Sequence, residues 1–385
     1  MRIRVIRPGW QTIVQDLGRT GYEAWGVPVW GALDEYAYRW ANWLLGNAEA
    51  AAVLEVAAMG PELLVLDDGV MALAGADFSV TVNGEAWHPG EARGLKAGSE
   101  IRFGRRKKGL RAYLAVAGGL AVPKVLGSRA TDLTSRVGGY QGRPLRAQDV
   151  VESLGDEAPS RNTKRLTMRP RTVFRVFPGA RLDRLKPGTW GRLLSHEYKV
   201  SPESSNIGLR LEGQSLVPPR GDWPSEGMAM GAIECVLSGQ LVILMKARGS
   251  IGGYPVVAHV AQVDWPSLAQ LVPGDRIRFE AVTLDDALNL LRIQRATVGS
   301  PATIHVVQTR APFSGSVSRM DNYGRLLPRV GEWVESGELL LVIEALGVRQ
   351  PLYAGESGEL VSIVNDGAQV SYQEVLWAIR EERDA

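Results

Sequence analysis

The chain has 385 residues, of which 45% are hydrophobic and 22% charged, a balance typical of a globular protein with two or three domains. The net charge of +2 gives no reason to expect a nucleic-acid partner, and the basic run at residues 105–108 lacks interleaved aromatic residues. The single cysteine, Cys235, excludes an internal disulfide and a cysteine-rich zinc site, and no apolar run reaches ~18 residues, so we expect no membrane span.

The pattern along the chain predicts a mainly β protein. It opens directly as a charged strand, MRIRVIRPG, so we expect no signal peptide and a cytoplasmic location. Short apolar runs separated by glycine and proline follow at intervals of roughly ten residues, as in sandwiches and barrels. One convincing helix begins after Asp34, the predicted N-cap, and ends at Gly46-Asn47. Shorter helices are predicted at 264–272 and 283–292.

A turn that feeds a strand occurs in similar form at 95–103 (LKAGSEIRF) and 271–279 (LVPGDRIRF), with a weaker third copy at 145–150 (LRAQDV). Related β modules or chance recurrence of a common turn would explain it. The polar stretches 155–169 and 295–303 are typical of linkers. We therefore predict three domains, at 1–160, 166–297 and 304–385.

The last domain contains a two-fold internal repeat. Ala311 and Gly315 match Ala354 and Gly358, and the spacing of the following Gly, Val and Ile is the same in both halves. Together with Glu344-Ala345-Leu346, these motifs resemble the biotinyl/lipoyl carrier domain, a flattened β-barrel. That family has a lysine at a hairpin tip where this chain has Gly347, and residues 304–385 contain no lysine. We expect neither covalent biotin nor lipoate here. The module either docks a partner or is a decayed carrier kept for packing.

The first 300 residues contain short motifs in one fixed order, including Gly18-Arg19-Thr20-Gly21-Tyr22, Gly31-Ala32-Leu33-Asp34, Leu45-Gly46-Asn47, Leu126-Gly127-Ser128-Arg129-Ala130-Thr131, Gly142-Arg143-Pro144-Leu145 and Gly252-Gly253-Tyr254-Pro255. This order resembles the biotin-dependent carboxyltransferase family, which includes the C subunit of bacterial 5-oxoprolinase and the so-called allophanate hydrolase subunit 2. The resemblance implies a mainly β fold, with two cyclophilin-like β-barrel domains followed by the biotinyl/lipoyl-like barrel.

The resemblance also implies a function. The first expectation is a C subunit that, with A and B subunits, uses ATP to open 5-oxo-L-proline to L-glutamate, the B subunit being the most direct partner. The second is the carboxyltransferase component of a urea-carboxylase-like system, with biotin carried on another chain. The third is a non-enzymatic regulator, because some relatives antagonise an inhibitor of a sporulation kinase.

Candidate substrate-binding residues fall in three groups. Asp34, Arg39 and Asn42 belong to the predicted helix, where a cap also suits an anion. Arg129, Thr131 and Arg136 lie in a Gly-rich loop whose donors suit an anionic or amide ligand, although a structural salt-bridge loop would have the same residues. The third group is Arg248, Gly252, Gly253 and Tyr254. Where the family has an acid before the arginine and a glutamine after it, this chain has Ala247 and Gly249.

Other chemistries find no support in the pattern. The chain has no phosphate-binding G-x-x-x-x-G-K-[ST] loop and no G-x-S-x-G elbow. The four histidines lack metal-ligand spacing, so no metal site is expected, and His259 is the one nearest a candidate motif. Cys235, in an apolar run, is interpreted as a buried thiol. No catalytic residue can be named, which is more typical of one member of an enzyme complex than of a complete enzyme.

Overall fold

The structure, a computed structural model, describes residues 1–155, 171–217 and 223–297, together with eight strands between Val306 and Arg380. The chain divides into two units, Met1–Thr283 and Leu284–Ala385. The predicted linker at 155–169 lies, apart from Gly155, outside the described residues. Within the described part, no helix is both long and apolar enough to cross a membrane.

The first β domain contains β1 (Arg2–Arg7), β2 (Gln11–Gln15), α1 (Glu35–Leu44), β3 (Val53–Ala57), β4 (Glu62–Val65), β5 (Gly69–Asp77), β6 (Thr81–Val82), β7 (Glu85–Ala86), β8 (Glu91–Leu95), β9 (Glu100–Arg102), β10 (Lys108–Val116) and β11 (Val150–Glu152). Six strands form one sheet, in the order β11-β1-β4-β9-β6-β7, and five form another, in the order β2-β3-β10-β5-β8. A short 3₁₀ helix, Glu23–Trp25, lies between β2 and α1.

The main core of this domain lies between the two sheets. Strand β1 alternates buried Ile3 and Val5 with more exposed arginines, as expected for a strand with one solvated face. Strands β5 and β10 are apolar on both faces. Their larger residues point into the core, whereas the other face presents mostly small residues to helix α1: Ala72, Ala74 and Ala115, with Tyr113.

The helix predicted after Asp34 is confirmed. The Asp34 side chain accepts a hydrogen bond from the backbone N–H of Ala37, as an N-cap does. Ala37, Tyr38, Ala41 and Leu44 form the buried face that packs on the five-stranded sheet. Of the two helices predicted to be shorter, the one at 264–272 is a single turn, Trp265–Leu268, whereas the one at 283–292 extends from Leu284 to Thr297 and is longer than Glu35–Leu44.

The second β domain contains β12 (Val173–Pro178), α2 (Thr189–Ser195), β13 (Tyr198–Val200), β14 (Gly208–Gly213), β15 (Glu226–Gly227), β16 (Ala232–Cys235), β17 (Leu241–Leu244), β18 (Ile251–Gly252), β19 (Val256–Val260), α3 (Trp265–Leu268) and β20 (Arg276–Ala281). Two short 3₁₀ helices, Leu182–Arg184 and Gln262–Asp264, complete it. Seven strands close a barrel in the order β12-β19-β16-β17-β14-β13-β20, and β15 pairs with β18 in a separate two-stranded ribbon. The predicted mainly β fold is confirmed.

The three similar turns predicted from the sequence share one geometry. The fourth residue of each lies in the left-handed region: Gly98, Gly274 and Gln148, with φ of 89°, 96° and 72°. In each turn the side chain of the next residue accepts a hydrogen bond from a backbone N–H three residues before it, from Lys96 to Ser99, Val272 to Asp275 and Arg146 to Asp149. The recurrence therefore extends to hydrogen bonding, including the weak third copy.

The second unit contains α4 (Leu284–Thr297), β21 (Val306–Arg310), β22 (Gly315–Ser318), β23 (Trp333–Val334), β24 (Leu339–Ala345), β25 (Val348–Tyr353), β26 (Gly358–Ile363), β27 (Gln369–Val370) and β28 (Val375–Arg380). Its two four-stranded sheets have the orders β21-β28-β26-β23 and β25-β24-β22-β27. Strands at the same place in the two orders are four apart in chain order, for example β21 and β25, or β28 and β24. This is expected of two copies of one four-stranded motif. Strands β24 and β25 pair from Ala345 and Val348 outward, whereas the tip residues Leu346 and Gly347 lie outside the described residues.

Candidate functional site

One segment, residues 16–33, here called the hub loop, connects the parts of the chain that carry the three predicted groups. Asp16 accepts hydrogen bonds from the Ser128 hydroxyl at 2.6 Å and the Arg129 N–H at 2.5 Å, which ties the hub loop to the Gly-rich loop. Its far end leads directly into helix α1. The N–H of Trp30 donates to the carbonyl of Lys246 at 3.3 Å, which joins the hub loop to the second β domain.

Asp34 lies at the centre of a buried polar network between the two β domains. Its Oδ2 accepts from Nε2 of Gln270 at 2.7 Å, and its N–H donates to the Tyr113 hydroxyl at 2.8 Å. That hydroxyl donates to Glu55, also at 2.8 Å. Burial raises the pKa of Asp34 to about 6, against hydrogen bonds from Ala37 and Gln270 that lower it. The carboxylate is thus enclosed by the fold's own groups.

Arg111 and Gln270 complete this network, and no motif in the sequence singled out either residue. Gln270 donates to the Arg111 carbonyl at 2.9 Å and accepts from the N–H groups of Leu110 and Arg111 at 2.8 and 2.9 Å. The Arg111 guanidinium donates to Ala269 and Asn206 of the second β domain. Because these contacts join residues about 160 or more positions apart, or 95 in the case of Asn206, only the tertiary fold reveals them.

The polar face of α1 reaches the second β domain through an ion pair between Glu35 and Lys246. Lys246 is buried, and its ammonium also donates to the Leu17 carbonyl at 3.4 Å. Burial acts to raise the pKa of the Glu35 carboxyl, but the positive charge of Lys246 and other contacts together act more strongly, and the pKa is lowered. Arg39, one turn further along, pairs with Glu35 at 3.5 Å and with Glu49. A lone lysine within the apolar run LVILMKA was the available signal for Lys246.

Asn42 and Thr131 make hydrogen bonds within the first β domain. The Asn42 side-chain amide donates to the Ala51 carbonyl at 2.9 Å, and its oxygen accepts from Asn47. The Thr131 hydroxyl donates to the Val14 carbonyl at 2.8 Å. Both residues are buried, so each contributes to the shape of its segment.

The arginines of the Gly-rich loop differ in their surroundings. Arg129 donates through Nε to the Val122 carbonyl at 2.8 Å. Arg136 is exposed and has a left-handed backbone, with φ of 57°. Arg19 of the hub loop is fully buried beside this loop and donates to the Ala130 carbonyl at 2.5 Å. Burial lowers the Arg19 pKa, against the charges of Asp132 and Asp16.

The third group lies on the outer side of the second barrel, at the β15–β18 ribbon. Arg248 donates through Nε to the Met228 carbonyl at 2.8 Å, and burial lowers its pKa against the opposing charge of Glu23. Gly252 belongs to β18 and is partly buried, whereas Gly253 and Tyr254 are exposed. In this group the Arg248 guanidinium is held by its hydrogen bond, and Gly252 and Gly253 lack side chains that would cover their backbone.

Two titratable residues near the ribbon were not assigned a role from the sequence. Glu234, in β16, is buried, and burial raises its pKa. His259, in β19, stacks on Phe177 with ring centroids 5.5 Å apart, and burial lowers its pKa against the charge of Glu226. The signal for Glu234 was an acidic residue in the otherwise apolar run AIECV.

The geometry offers no activated cysteine. Cys235 is buried, as expected, and burial raises the pKa of its thiol to about 11, which disfavours the nucleophilic thiolate. Among the residues described, no three His, Cys, Asp or Glu side chains are grouped so as to hold a metal ion.

Comparisons with known proteins agree with this architecture. The carboxyltransferase domain family, subdomains A and B, matches residues 25–281. The C subunit of 5-oxoprolinase from Escherichia coli K12 is 33% identical over 297 residues, which cover 76% of this chain and 95% of that protein. The urea amidolyase of Saccharomyces cerevisiae is 30% identical over 323 residues, covering 77% of this chain and 18% of that one.

Solved structures give the same result. The crystal structure of TTHA0988 has 34% identity and a TM-score of 0.67, covering 72% of this chain and 55% of that one. The Kluyveromyces lactis urea carboxylase has 26% identity and a TM-score of 0.74, covering 89% of this chain and 32% of that one. The chain thus spans little more than half the length of TTHA0988 and about a third of the urea carboxylase. From the family match over residues 25–281 and the identity to full-length relatives, the chain belongs to the carboxyltransferase domain family, subdomains A and B.

Proposed function

We propose that this chain is the C subunit of an ATP-dependent 5-oxoprolinase, which opens 5-oxo-L-proline to L-glutamate together with A and B subunits. The observation that carries the proposal is the 33% identity to the E. coli protein named as the C subunit of 5-oxoprolinase, because the match covers 95% of that protein. Membership of a complex is consistent with a site that has cations and glycines but no activated cysteine nucleophile.

The residues proposed to form the substrate site, by direct contact or by shaping it, are Asp34, Arg39, Asn42, Arg129, Thr131, Arg136, Arg248, Gly252, Gly253 and Tyr254. Their surroundings favour different roles. Arg248 is the candidate for direct contact with the carboxylate of 5-oxoproline, because only its Nε is used by a hydrogen bond within the described part of the chain. Asp34, Asn42 and Thr131 act indirectly, by fixing the hub loop and its neighbours.

The cofactor requirements follow from what this chain contains. ATP is used by the complex, and this sequence has no G-x-x-x-x-G-K-[ST] phosphate-binding loop of its own. Covalent biotin does not fit residues 304–385, where Gly347 stands at the acceptor position and no lysine is present. ATP supplies the free energy for opening a stable lactam, while this chain binds and orients the substrate.

The proposal is tested by ATP-dependent glutamate release from 5-oxo-L-proline. The full chain is assayed alone and with the A and B subunits from the same source. We expect activity only in the three-part mixture. A complex that forms, as shown by gel filtration, yet releases no glutamate would refute the assignment and favour either carboxyl transfer or a regulatory role.

Replacing Arg248 with methionine tests its contact with substrate. We expect kcat/KM of the complex to fall roughly 10- to 100-fold, mainly through KM, because a hydrogen bond to a charged group is lost. The matched control is Arg210→Met, since Arg210 is exposed on β14 of the same barrel. Equal effects of the two substitutions on KM would contradict the assigned contact.

Carboxyl transfer to urea or a related amide is a second candidate. It is favoured by the match to the K. lactis urea carboxylase, which covers 89% of this chain. Biotin would then arrive on another chain. Transfer of labelled carboxylate from a separate biotinylated carrier to urea, in the absence of the A and B subunits, would support this candidate over the first.

A further inference from the structure

Glu234 lies in an apolar environment on the outer face of the second barrel. The strand pairings place it opposite Val242 on β17 and Val256 on β19. Residues opposite each other in antiparallel strands share one face of the sheet. That face carries a cluster of buried apolar residues: Met228, Ala232, Val242, Leu244 and Val256. The Glu234 side chain therefore lies among apolar groups.

This carboxylate has no protein partner in the described part of the chain. Glu234 is 7% exposed, and no hydrogen-bond donor or cation contacts its side chain among the residues that the structure describes. An isolated buried carboxylate is unfavourable unless it is protonated or meets a donor. By contrast, the buried carboxylates of Asp34 and Glu55 both accept hydrogen bonds from neighbouring groups. Glu234 is thus a largely enclosed acceptor with unused capacity, whose remaining exposure leaves a ligand able to reach it.

The glycine motif keeps this acceptor close to the surface. A Cβ atom at Gly252 would lie 3.1 Å from Oε1 of Glu234 and 2.9 Å from Cγ of Met228. Gly252 does not have a left-handed backbone, so its conformation does not require glycine. The close approach puts Oε1 of Glu234 beside the Gly252 backbone, where a larger side chain would displace the side chains of Glu234 and Met228. Gly252 is partly buried and the next two residues, Gly253 and Tyr254, are exposed, so the backbone beside the carboxylate leads directly to the surface.

We propose that Glu234 is a binding residue that accepts a hydrogen bond from the N–H of the substrate's amide group, beside the Gly252-Gly253 backbone. The ligand class is a neutral planar amide with a free N–H, such as a lactam or urea. The apolar surroundings favour a neutral donor over a strongly hydrated cation. This inference rests on the proposed function, in which the substrate is an amide.

The decisive variant is Glu234→Met, studied in the full chain and in its complex with the A and B subunits. Methionine fills the apolar site and removes the acceptor. If Glu234 served the fold, its loss would lower the melting temperature. We expect an equal or higher melting temperature, with kcat/KM for 5-oxo-L-proline lowered roughly 10- to 100-fold. The control is Glu212→Met, because Glu212 is exposed on β14, and this change should leave both quantities unaltered.

N-methylation of the ligand isolates the proposed hydrogen bond. Wild-type complex should bind 5-oxo-L-proline at least about tenfold more tightly than N-methyl-5-oxo-L-proline. The Glu234→Met complex should bind the two with similar affinity. Retained activity and retained discrimination in this variant would overturn the inference while leaving the 5-oxoprolinase assignment intact.

A second pair of ligands separates the two proposals. If the wild-type complex does not open 5-oxo-L-proline, urea and tetramethylurea are titrated into the full chain by calorimetry. Preference for urea that disappears in Glu234→Met would support the amide subsite although the 5-oxoprolinase assignment has failed. Wild-type chain that binds neither urea nor tetramethylurea, or that shows the same preference as the variant, would overturn the inference.

Discussion

At the scale of single residues, burial decides what each titratable side chain can do. Asp34, Glu234 and Cys235 are all enclosed, and enclosure disfavours the charged form of each. They differ in their partners. Asp34 accepts hydrogen bonds from Ala37 and Gln270, whereas the carboxylate of Glu234 has no such donor among the described residues. The first therefore suits a structural role, and the second suits a ligand.

Asp34 makes stability depend on pH. Its folded pKa of about 6 exceeds the ordinary value of 3.8, so the folded state binds a proton more tightly than the unfolded chain does. This contribution to stability is complete below pH 3.8 and is lost as the pH rises through 6. The prediction concerns the difference in unfolding free energy between wild type and Asp34→Asn. Between about pH 4.5 and 5.5, wild type should lose about 1.4 kcal/mol per pH unit relative to the variant.

The measurement is urea denaturation of both proteins across that range. Asparagine is an equally good N-cap, so the helix itself is preserved in the variant. The other carboxylates titrate in both proteins and cancel in the difference. If the unfolding free energies of the two proteins changed in parallel with pH, Asp34 would be ionised throughout this range. The hydrogen bonds to its carboxylate would then fully offset the cost of burying it.

Cys235 should be unreactive in the native protein. Raising the thiol pKa from 9.0 to about 11 reduces the thiolate fraction near pH 8 about 100-fold, and burial blocks access as well. We expect a disulfide reagent such as DTNB to label one thiol per chain in urea and almost none without it. Rapid labelling of the native chain would contradict the buried position.

At the scale of elements, the recurring turn is the clearest case of local sequence directing local structure. A glycine adopts the left-handed backbone in two copies, at Gly98 and Gly274, and Gln148 does so in the third. Left-handed geometry costs a residue with a Cβ atom roughly 1–2 kcal/mol, whereas glycine adopts it freely. The third turn therefore forms because its neighbouring contacts impose it, including the bonds between Arg146 and Asp149.

Exchanging residues between these turns tests that explanation. Gln148→Gly should raise the free energy of unfolding by up to about 1 kcal/mol, because relief of strain exceeds the entropy that glycine loses on folding. Gly98→Gln, the reciprocal change, should lower it by roughly 1–2 kcal/mol. Chemical denaturation measures both. Effects of the same sign would show that side-chain contacts, rather than backbone geometry, decide these positions.

At the scale of the whole molecule, a polar contact joins the two β domains of the first unit. Gln270 bridges Asp34 and the backbone of Leu110 and Arg111 through four hydrogen bonds. Beside it, the Lys246–Glu35 ion pair and the Lys246 bond to Leu17 connect the same domains. These contacts hold the hub loop and the start of helix α1 against the second β domain.

Gln270→Leu should separate the two domains energetically. The change leaves several buried polar groups without partners, so the free energy of unfolding should fall by about 3–5 kcal/mol, and unfolding should split into two transitions. The control is Gln214→Leu at an exposed position, with an expected change within about 0.5 kcal/mol. A loss below about 1 kcal/mol for Gln270→Leu would show that apolar packing alone joins the domains.

The local features of this protein follow from its sequence alone. Asp34 and the residues after it specify a capped helix, the LKAGSE-type segments specify a turn, and the spacing of glycines specifies short strands. Each depends on residues within a few positions of one another, where backbone geometry and hydrogen bonding are fixed locally. The ordered motifs likewise predicted the family, and they drew attention to Arg248 and Gly252-Gly253.

Which side chains meet, in contrast, is a property of the folded chain. Gln270 and Asp34 are 236 positions apart, and Lys246 and Leu17 are 229 apart, so no local pattern links them. Glu234 is buried because its face of β16 packs among apolar residues of neighbouring segments. Whether its carboxylate meets a hydrogen-bond donor depends on the side chains that all of those segments present. Local preferences fix helices and turns, whereas the environment of a buried charge is set by parts of the chain that fold together from a distance.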